Sequence, residues 1–286
     1  MSGNQYLAKY YLRFNGWQRL EHLTLLVSFT VLAITGIPQK FTAQFWASSA
    51  IGVMGGIEWT RQVHHIAAII LLAASIYHFI LVGYKVYVKR VNLTMLPGWQ
   101  DVRDGLQALS YNVGLAKAPP KMGRYTFGEK VEYWAVVWGT VVMAITGFML
   151  WNPIATASIL PGQFIPAAKA AHGGEAILAV LSILTWHLYN VHIKEFNKSM
   201  FTGMIAEHAM EEEHPLELED IETGRATIGA EPAGVQRRAR LFAPVAAVIT
   251  ILLVVGLYFF VTYEQTAITT VPPADIEVFV PLTPGP

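Results

Sequence analysis

The sequence predicts an all-α integral membrane protein in which a bundle of four transmembrane helices is followed by a fifth, C-terminal one. The 286-residue chain is 53% hydrophobic and 14% charged, with a mean hydropathy of +0.40, which is too apolar for an ordinary soluble domain. Several apolar segments approach the roughly 20 residues that a helix needs to cross a bilayer. Histidines recur inside these segments at matched spacings.

The apolar segments define the predicted spans. They are Glu21–Ile37, Ile66–Gly83, Tyr133–Trp151, Ala176–Ile193 and Leu241–Val261. The first is short on its own but extends backward through Trp17, an aromatic residue of the kind found at membrane interfaces. Between the first two spans, the stretch "FTAQFWASSAIGVMGGIEW" has similar aromatics and predicts a short re-entrant or surface helix.

The distribution of lysine and arginine predicts the orientation. Basic residues cluster in the N-terminal arm, in the connection from the second to the third span, and after the fourth span. The connections at 38–60 and 152–170 hold only Lys40 and Lys169, respectively. By the positive-inside rule, the N-terminus is cytoplasmic and the C-terminus is exported.

The remaining segments complete a division into four parts. Residues 1–200 form the four-helix core, and residues 201–240 form an acidic cytoplasmic arm, either a docking arm or a solvated linker. Residues 241–262 are the fifth transmembrane helix. Residues 263–286 are an exported proline-rich tail, which predicts an extended segment lying on a partner or a disordered one.

The charge balance and the cysteine count exclude several functions. The formal net charge is zero, which predicts no nucleic-acid partner. With no cysteine in the chain, neither a cysteine-ligated iron–sulfur cluster nor a thioether-bound c-type haem can be carried here. Histidine is the remaining soft ligand for a metal centre, and any cluster must belong to a partner protein.

The second span carries two histidines on one face. His64 and His78 are fourteen residues apart, so on an α-helix they differ by about 40° in direction and about 21 Å in height. His65 is turned by about 140° from His78 and is expected at the membrane interface. An ionisable ring within a bilayer is costly and marks a functional site by default.

The fourth span repeats this pattern. His172 and His187 are fifteen residues apart, about 60° different in direction and about 22 Å in height. Because both spans run from outside to inside, His64 aligns with His172 and His78 with His187. Two stacked bis-histidine sites follow, a ligand set that fits haem b, whereas zinc needs three or four clustered ligands.

Other histidines leave alternatives open. His22 lies near the cytoplasmic end of the first span, at about the level of His78 and His187. His192 points about 140° away from His187 and suits a quinone site or a haem propionate contact better than ligation. His208 and His214, in the acidic arm, are expected to be solvated.

The chain resembles the cytochrome b (gamma) subunits of membrane-bound formate dehydrogenases and the related cytochrome b subunits of nickel–iron hydrogenases. The resemblance extends over about residues 10–200. It is carried by four segments: "RLEHLTLLVSFTVLAITGIPQKF", "RQVHHIAAIILLAASIYH", "EYWAVVWGTVVMAITGFMLWNP" and "HGGEAILAVLSILTWHLYNVH".

This resemblance implies a bundle with two b-type haems. In the family, the first and second spans supply one ligand each and the fourth supplies two, which gives His22, His64, His172 and His187. The spacing argument instead pairs His78 with His187, as in the cytochrome b of quinol-oxidising bc- and bf-type complexes. A third haem that uses His22, His78 or His192 stays open.

The implied function is electron transfer by a cytochrome b subunit of a respiratory complex in the bacterial inner membrane. Electrons would pass between the quinone pool, with quinone or menaquinone as the substrate, and an extracytoplasmic redox subunit that bears iron–sulfur clusters or c-type haem. No independent bond chemistry is expected. The alternatives are a quinol-oxidising cytochrome b of a bc-like complex and, in another class, a haem-free anchor or proton-relay transporter.

Overall fold

The computed structural model describes residues 9–194, 196–225 and 233–263, and its fold is all-α, as the sequence predicts. The elements are β1 (Tyr10–Leu12), α1 (Gly16–Lys40), α2 (Phe45–Val53), α3 (Ile57–Tyr87), α4 (Trp99–Asn112), α5 (Phe127–Trp151), α6 (Pro153–Ile159), α7 (Phe164–Ser182, continued by π-helical turns Ile183–His187 and Tyr189–Lys194), α8 (Ser199–Thr202), β2 (Met204–Ala206), α9 (Glu207–Glu213), α10 (Pro215–Glu222) and α11 (Val235–Thr262).

Five of the described helices are long and apolar enough to cross a membrane: α1, α3, α5, α7 with its π-helical continuation, and α11. Four of them extend past the predicted apolar cores at both ends, and α5 does so at its start. α1 begins at Gly16 because the Asn15 side chain accepts a hydrogen bond from the Gln18 amide at 2.9 Å and Gln18 reciprocates, a capping box that satisfies free helix amides. The stretch between the first two spans contains a helix, α2, as predicted.

The bundle consists of two antiparallel helix pairs. α1 packs chiefly on α3, and α5 on α7. In the first pair, Thr35 near the end of α1 contacts His64 near the start of α3, whereas Glu21 at the start of α1 contacts His78 farther along α3. α11 packs on α3, where Gly83 leaves room for the ring of Phe242.

One end of the bundle is closed by a small cap formed by residues 9–15, 122–129 and 203–222. In it, β1 pairs antiparallel with β2, and a hydrophobic cluster of Ile205, Ala209, Met210 and Leu218 is buried beneath α9 and α10. The Arg13 guanidinium is almost fully buried between Glu217 at 2.8 Å and Glu129 at 3.2 Å. The cap therefore joins the N-terminal arm, the second-to-third connection and part of the acidic arm at one end of the bundle.

The environment of His214 differs from the prediction. We expected a solvated ring, but His214 is only 2% exposed, so the prediction was wrong. Its Nδ1–H donates to the Gly123 carbonyl at 2.9 Å. The acidic composition of the arm hid an apolar face, because the side chains of Ala209, Met210 and Leu218 are buried in the cap. The predicted exported tail, from 264 onward, lies outside the described residues.

Candidate functional site

Four histidines form two facing pairs at two heights in the bundle. The ring centres of His64 and His172 are 6.4 Å apart, and those of His22 and His187 are also 6.4 Å apart. The first pair lies near the C-terminal ends of α1 and α5, and the second near their N-terminal ends. We refer to these as the His64 level and the His22 level.

At the His64 level, a threonine fixes the tautomer of His64. The Thr35 hydroxyl donates to the Val31 carbonyl at 2.7 Å, so its oxygen is left to accept a hydrogen bond. It lies 2.9 Å from His64 Nδ1, which must therefore carry the proton, since a neutral imidazole has one donor and one acceptor nitrogen. Nε2 of His64 is thereby left with a free lone pair, the state that a metal ion requires.

The same arrangement recurs around His172. The Thr146 hydroxyl donates to the Val142 carbonyl at 2.6 Å, and its oxygen lies 2.9 Å from His172 Nδ1. Thr35 and Thr146 belong to two copies of the tetrapeptide Ala-Ile-Thr-Gly, at 33–36 and 144–147. The two antiparallel helix pairs thus present their histidines in the same way, through a repeated motif.

The glycines of these motifs make room for the rings. A Cβ at Gly36 would lie 2.9 Å from Cε1 of His64, and one at Gly147 would lie 3.3 Å from Cε1 of His172. Contacts under 3.0 Å are essentially never seen for real Cβ atoms, so a side chain at Gly36 would displace the imidazole. Glycine is thus required at Gly36, whereas a Cβ at Gly147 would need the His172 ring to shift by a few tenths of an ångström.

At the His22 level, a carboxylate takes the place of threonine. His187 Nδ1–H donates to Glu132 Oε2 at 2.8 Å, and because an ionised carboxylate only accepts hydrogen bonds, Nε2 of His187 again keeps its lone pair. Intramembrane carboxylates are rare and functional as a rule. The ring of His22 lies opposite that of His187.

His78 is occupied on both ring nitrogens. Its Nδ1 lies 3.2 Å from Glu21 Oε1 and its Nε2 lies 3.1 Å from the Tyr133 hydroxyl. Since Glu21 accepts from Nδ1–H, Nε2 accepts from the tyrosine. The spacing argument places His78 against His187, whereas the structure places His22 there.

The π-helical turns change the direction of His187 relative to His172 from that expected for an α-helix. A π-turn closes its hydrogen bond at i+5 and inserts about one extra residue. The fifteen-residue spacing of His172 and His187 therefore acts like the fourteen-residue spacing of His64 and His78. His187 and His78 are equivalent residues of the two helix pairs, at the same height but directed to different partners.

The other histidines lie apart from these pairs. His65 stacks on Trp151, with ring centres 3.7 Å apart, at the end of α5. His192 lies in the second π-helical turn with its ring centre 5.4 Å from that of Phe196, and its Nδ1 is buried without a hydrogen-bond partner among the described residues.

Both facing pairs have the spacing that a shared metal ion requires. An ion lies about 2.0 Å from a ligating imidazole nitrogen, and the ring centre lies about 1 Å behind that nitrogen, so two imidazoles on opposite sides of one ion have centres about 6 Å apart. Within the described part of the chain, no three histidine or carboxylate side chains converge on one point. Two ligands per ion suit the iron of a b-type haem and not zinc.

Sequence reasoning missed the residues that orient the histidines. The spacing of the histidines does not identify Thr35, Thr146 or Glu132, although the repeated Ala-Ile-Thr-Gly motif is a signal for the first two. Glu21 and Glu132 also occupy matching places ahead of the two motifs, in "LEH" and "VEY". A search for internal repeats finds both signals.

Comparisons with known proteins give matches over most of the chain. A family model described as prokaryotic cytochrome b561 matches residues 13–205, a range that includes all four paired histidines. The cytochrome b556(Fdn) subunit of the nitrate-inducible formate dehydrogenase of Escherichia coli is 23% identical over 209 residues, which cover 73% of this chain and 90% of that subunit.

Two further relatives give the same result. The cytochrome b556(fdo) subunit of another E. coli formate dehydrogenase is 22% identical over 71% of this chain and 89% of its own length. The formate dehydrogenase cytochrome b556 subunit of Haemophilus influenzae is 21% identical over 69% of this chain and 77% of its own length.

Proposed function

Because the chain belongs to the prokaryotic cytochrome b561 family and is a membrane cytochrome b subunit of a respiratory redox complex, we propose that it binds two b-type haems, one at each histidine level. The observation that carries this proposal is the pair of facing imidazoles, 6.4 Å apart at both levels, with orienting hydrogen bonds on Nδ1 of three of the four rings.

His64 with His172 would hold the iron of one haem, and His22 with His187 that of the other. This set agrees with the assignment that the family resemblance implies. Lys40 is suited to hold a propionate at the His64 level, because its Nζ would lie only 2.6 Å from a Cβ at Gly173, next to His172. It makes no ion pair with the described residues that would compete for it.

When bound, haem iron supplies reversible one-electron oxidation and reduction. The contribution of this chain is to hold the histidines of both pairs at fixed heights and in a fixed protonation state. The fourteen- and fifteen-residue spacings separate the levels by about 20 Å along the helix axes, which is most of the roughly 30 Å hydrocarbon layer.

The protein is a multi-pass protein of the bacterial inner membrane, and we place its N-terminus in the cytoplasm. The cap supports this orientation because it gathers the basic N-terminal arm and the basic second-to-third connection on one side, as the positive-inside rule requires. The His22 level is then near the cytoplasm and the His64 level near the exported side.

We assign the quinone to the His22 level. This assignment is supported by His192, whose buried Nδ1 has no hydrogen-bond partner among the described residues. That nitrogen is available to a carbonyl or hydroxyl group of a bound quinone. Of the other polar residues at this end, Asn190 donates its amide to the Trp186 carbonyl at 2.9 Å. Tyr84 packs against Phe242, and Glu195 lies outside the described residues.

The redox partner is assigned to the exported side. This chain has no cysteine, so iron–sulfur clusters or c-type haem must be carried by another subunit that approaches the His64 level. The 38–60 and 152–170 connections and the tail offer the exported surface for this contact. The relatives are subunits of formate dehydrogenases by name, and the redox partner in this proposal is an extracytoplasmic subunit.

The alternative arrangement, with His78 and His187 as a ligand pair, has less support. Hydrogen bonds to Glu21 and Tyr133 occupy both nitrogens of His78, so ligation would break one of them. A third haem on His78 meets the same obstacle. A haem-free proton relay has no observation that favours it over the two facing pairs.

Near-infrared magnetic circular dichroism of the purified wild-type protein tests the proposal. We expect the charge-transfer band of low-spin haem with two histidine ligands, at two haems per chain. The chain contains nine methionines, so the band position also separates bis-histidine from histidine–methionine ligation. A protein without haem, or with a single haem, would exclude the proposal.

A further inference from the structure

The two proposed haem sites differ in the group that accepts the Nδ1–H of their ligands. At the His64 level both acceptors are neutral hydroxyls, those of Thr35 and Thr146. At the His22 level, the acceptor for His187 is the Glu132 carboxylate, 2.8 Å away. The sites are alike in ring separation, so this acceptor is the main chemical difference between them.

An acceptor on Nδ1 changes the electron-donating strength of the ring. A carboxylate pulls the proton away from the imidazole more strongly than a hydroxyl, which gives the ring partial imidazolate character and raises the basicity of Nε2. A more basic ligand stabilises the more positive, oxidised state of the iron that it binds. Hydrogen bonding around the axial ligand is one of the means by which a protein sets a haem reduction potential.

We propose that Glu132 is a positioning residue that lowers the reduction potential of the His22–His187 site relative to the His64–His172 site. This inference rests on the proposed function, because it takes His187 as an axial ligand. It assigns a specific role to a carboxylate that would otherwise be a costly group in a transmembrane helix. The two sites then accept electrons in two separate steps.

The internal repeat provides a matched comparison residue. Glu21 stands in α1 where Glu132 stands in α5, but it accepts the Nδ1–H of His78, which has Tyr133 and no metal on its other nitrogen. The side chains are similarly placed, with exposures of 18% for Glu21 and 28% for Glu132. Loss of the Glu21 charge therefore reports the general electrostatic effect without the effect on a ligand.

The experiment is a spectroscopic redox titration of the purified complex with Glu132→Gln and, in parallel, Glu21→Gln. We expect Glu132→Gln to shift the midpoint potential of the His22–His187 site in the positive direction. The midpoint potential of the His64–His172 site should stay unchanged. Glu21→Gln is expected to shift it less. Glu132→Asp, which retains the carboxylate, should return the potential toward that of the wild type.

Two results would overturn the inference: an unchanged potential in Glu132→Gln, or an equal shift in Glu21→Gln. If Glu132→Gln does not retain haem, the same titration is made with Glu132→Ser, which supplies a neutral hydroxyl as at the His64 level and carries the same expectation. His187→Ala identifies which titration step belongs to this site. If His187→Ala keeps both haems, the haem assignment itself fails, a result distinct from failure of the Glu132 inference.

Discussion

At the scale of single residues, the candidate ligands are distinguished by what each ring nitrogen contacts. His64, His172 and His187 donate through Nδ1 to an oxygen that cannot donate back, so each keeps a free Nε2. His78 also donates through Nδ1, but its Nε2 accepts from Tyr133. Equal depth in the membrane therefore does not make two histidines equivalent, because the second nitrogen must also be free.

The close approach at Gly36 leads to a prediction for Gly36→Ala. The new Cβ would lie 2.9 Å from Cε1 of His64, so the ring must move, and such overpacking costs about 1–3 kcal/mol. We expect haem retention at the His64 level to weaken by about tenfold or more, with the His22 level unaffected. Haem content per chain after transfer to excess apomyoglobin measures this loss.

The control is Gly52→Ala, since a Cβ at Gly52 meets no atom within 4 Å. Both variants add one methyl group within a helix, so a general effect on helix stability is shared by the pair. Equal haem retention in Gly36→Ala and the wild type would show that the ring is not held against α1.

At the scale of the elements, periodicity predicted the spans and the heights of the histidines but not all of their directions. Apolar length predicted five transmembrane helices, and five of the helices in the described part of the chain are long and apolar enough to cross a membrane. The direction of His187 depends on the π-helical turn at Ile183–His187, and no local pattern distinguishes such a turn from an α-helix. If the α-helical angle of about 100° per residue is applied across this turn, the predicted direction of His187 is wrong.

The cap was likewise hidden from sequence reasoning. Its ion pairs join residues far apart in the chain, such as Arg13 with Glu217, and its buried cluster is drawn from a segment that reads as acidic. The pKa of His214 is lowered from its ordinary value of 6.5 by burial and by the nearby Arg13 charge, against the opposing effect of Glu129 and Glu217. Burial thus keeps this ring neutral.

A lowered pKa makes the cap sensitive to acid. His214 binds a proton near pH 6.5 in the unfolded arm and only at lower pH in the folded arm. Its contribution to the free energy of cap unfolding is therefore constant above about pH 6.5 and falls as the pH is lowered below that value. We expect faster limited proteolysis of residues 203–222 at pH 5 than at pH 7.5. The haem spectrum should change little, because the cap lies at the end of the bundle.

The matched variant is His214→Gln, which keeps an amide donor for the Gly123 carbonyl but does not titrate between these pH values. Its proteolysis rate should depend less on pH than that of the wild type. Equal pH dependence in both proteins would show that His214 is not the source of the acid sensitivity.

At the scale of the whole molecule, the bundle is two copies of one helix pair that have diverged at a single level. The Ala-Ile-Thr-Gly motifs present His64 and His172 in the same way, whereas the other level pairs His187 with His22 and His78 with Tyr133. Fold class and three of the proposed ligands follow from length, hydropathy and spacing. The choice between His22 and His78 needs the lateral direction of each side chain, which depends on packing between helices.

The most direct test of this account is a haem count by pyridine haemochrome assay in five alanine variants, those of His22, His64, His172, His187 and His78. We predict two haems per chain in the wild type and in His78→Ala, and one haem in each of the other four variants, with the remaining haem assigned by its midpoint potential. Two haems in His22→Ala together with one in His78→Ala would contradict the account, because His78 and not His22 would then be the partner of His187.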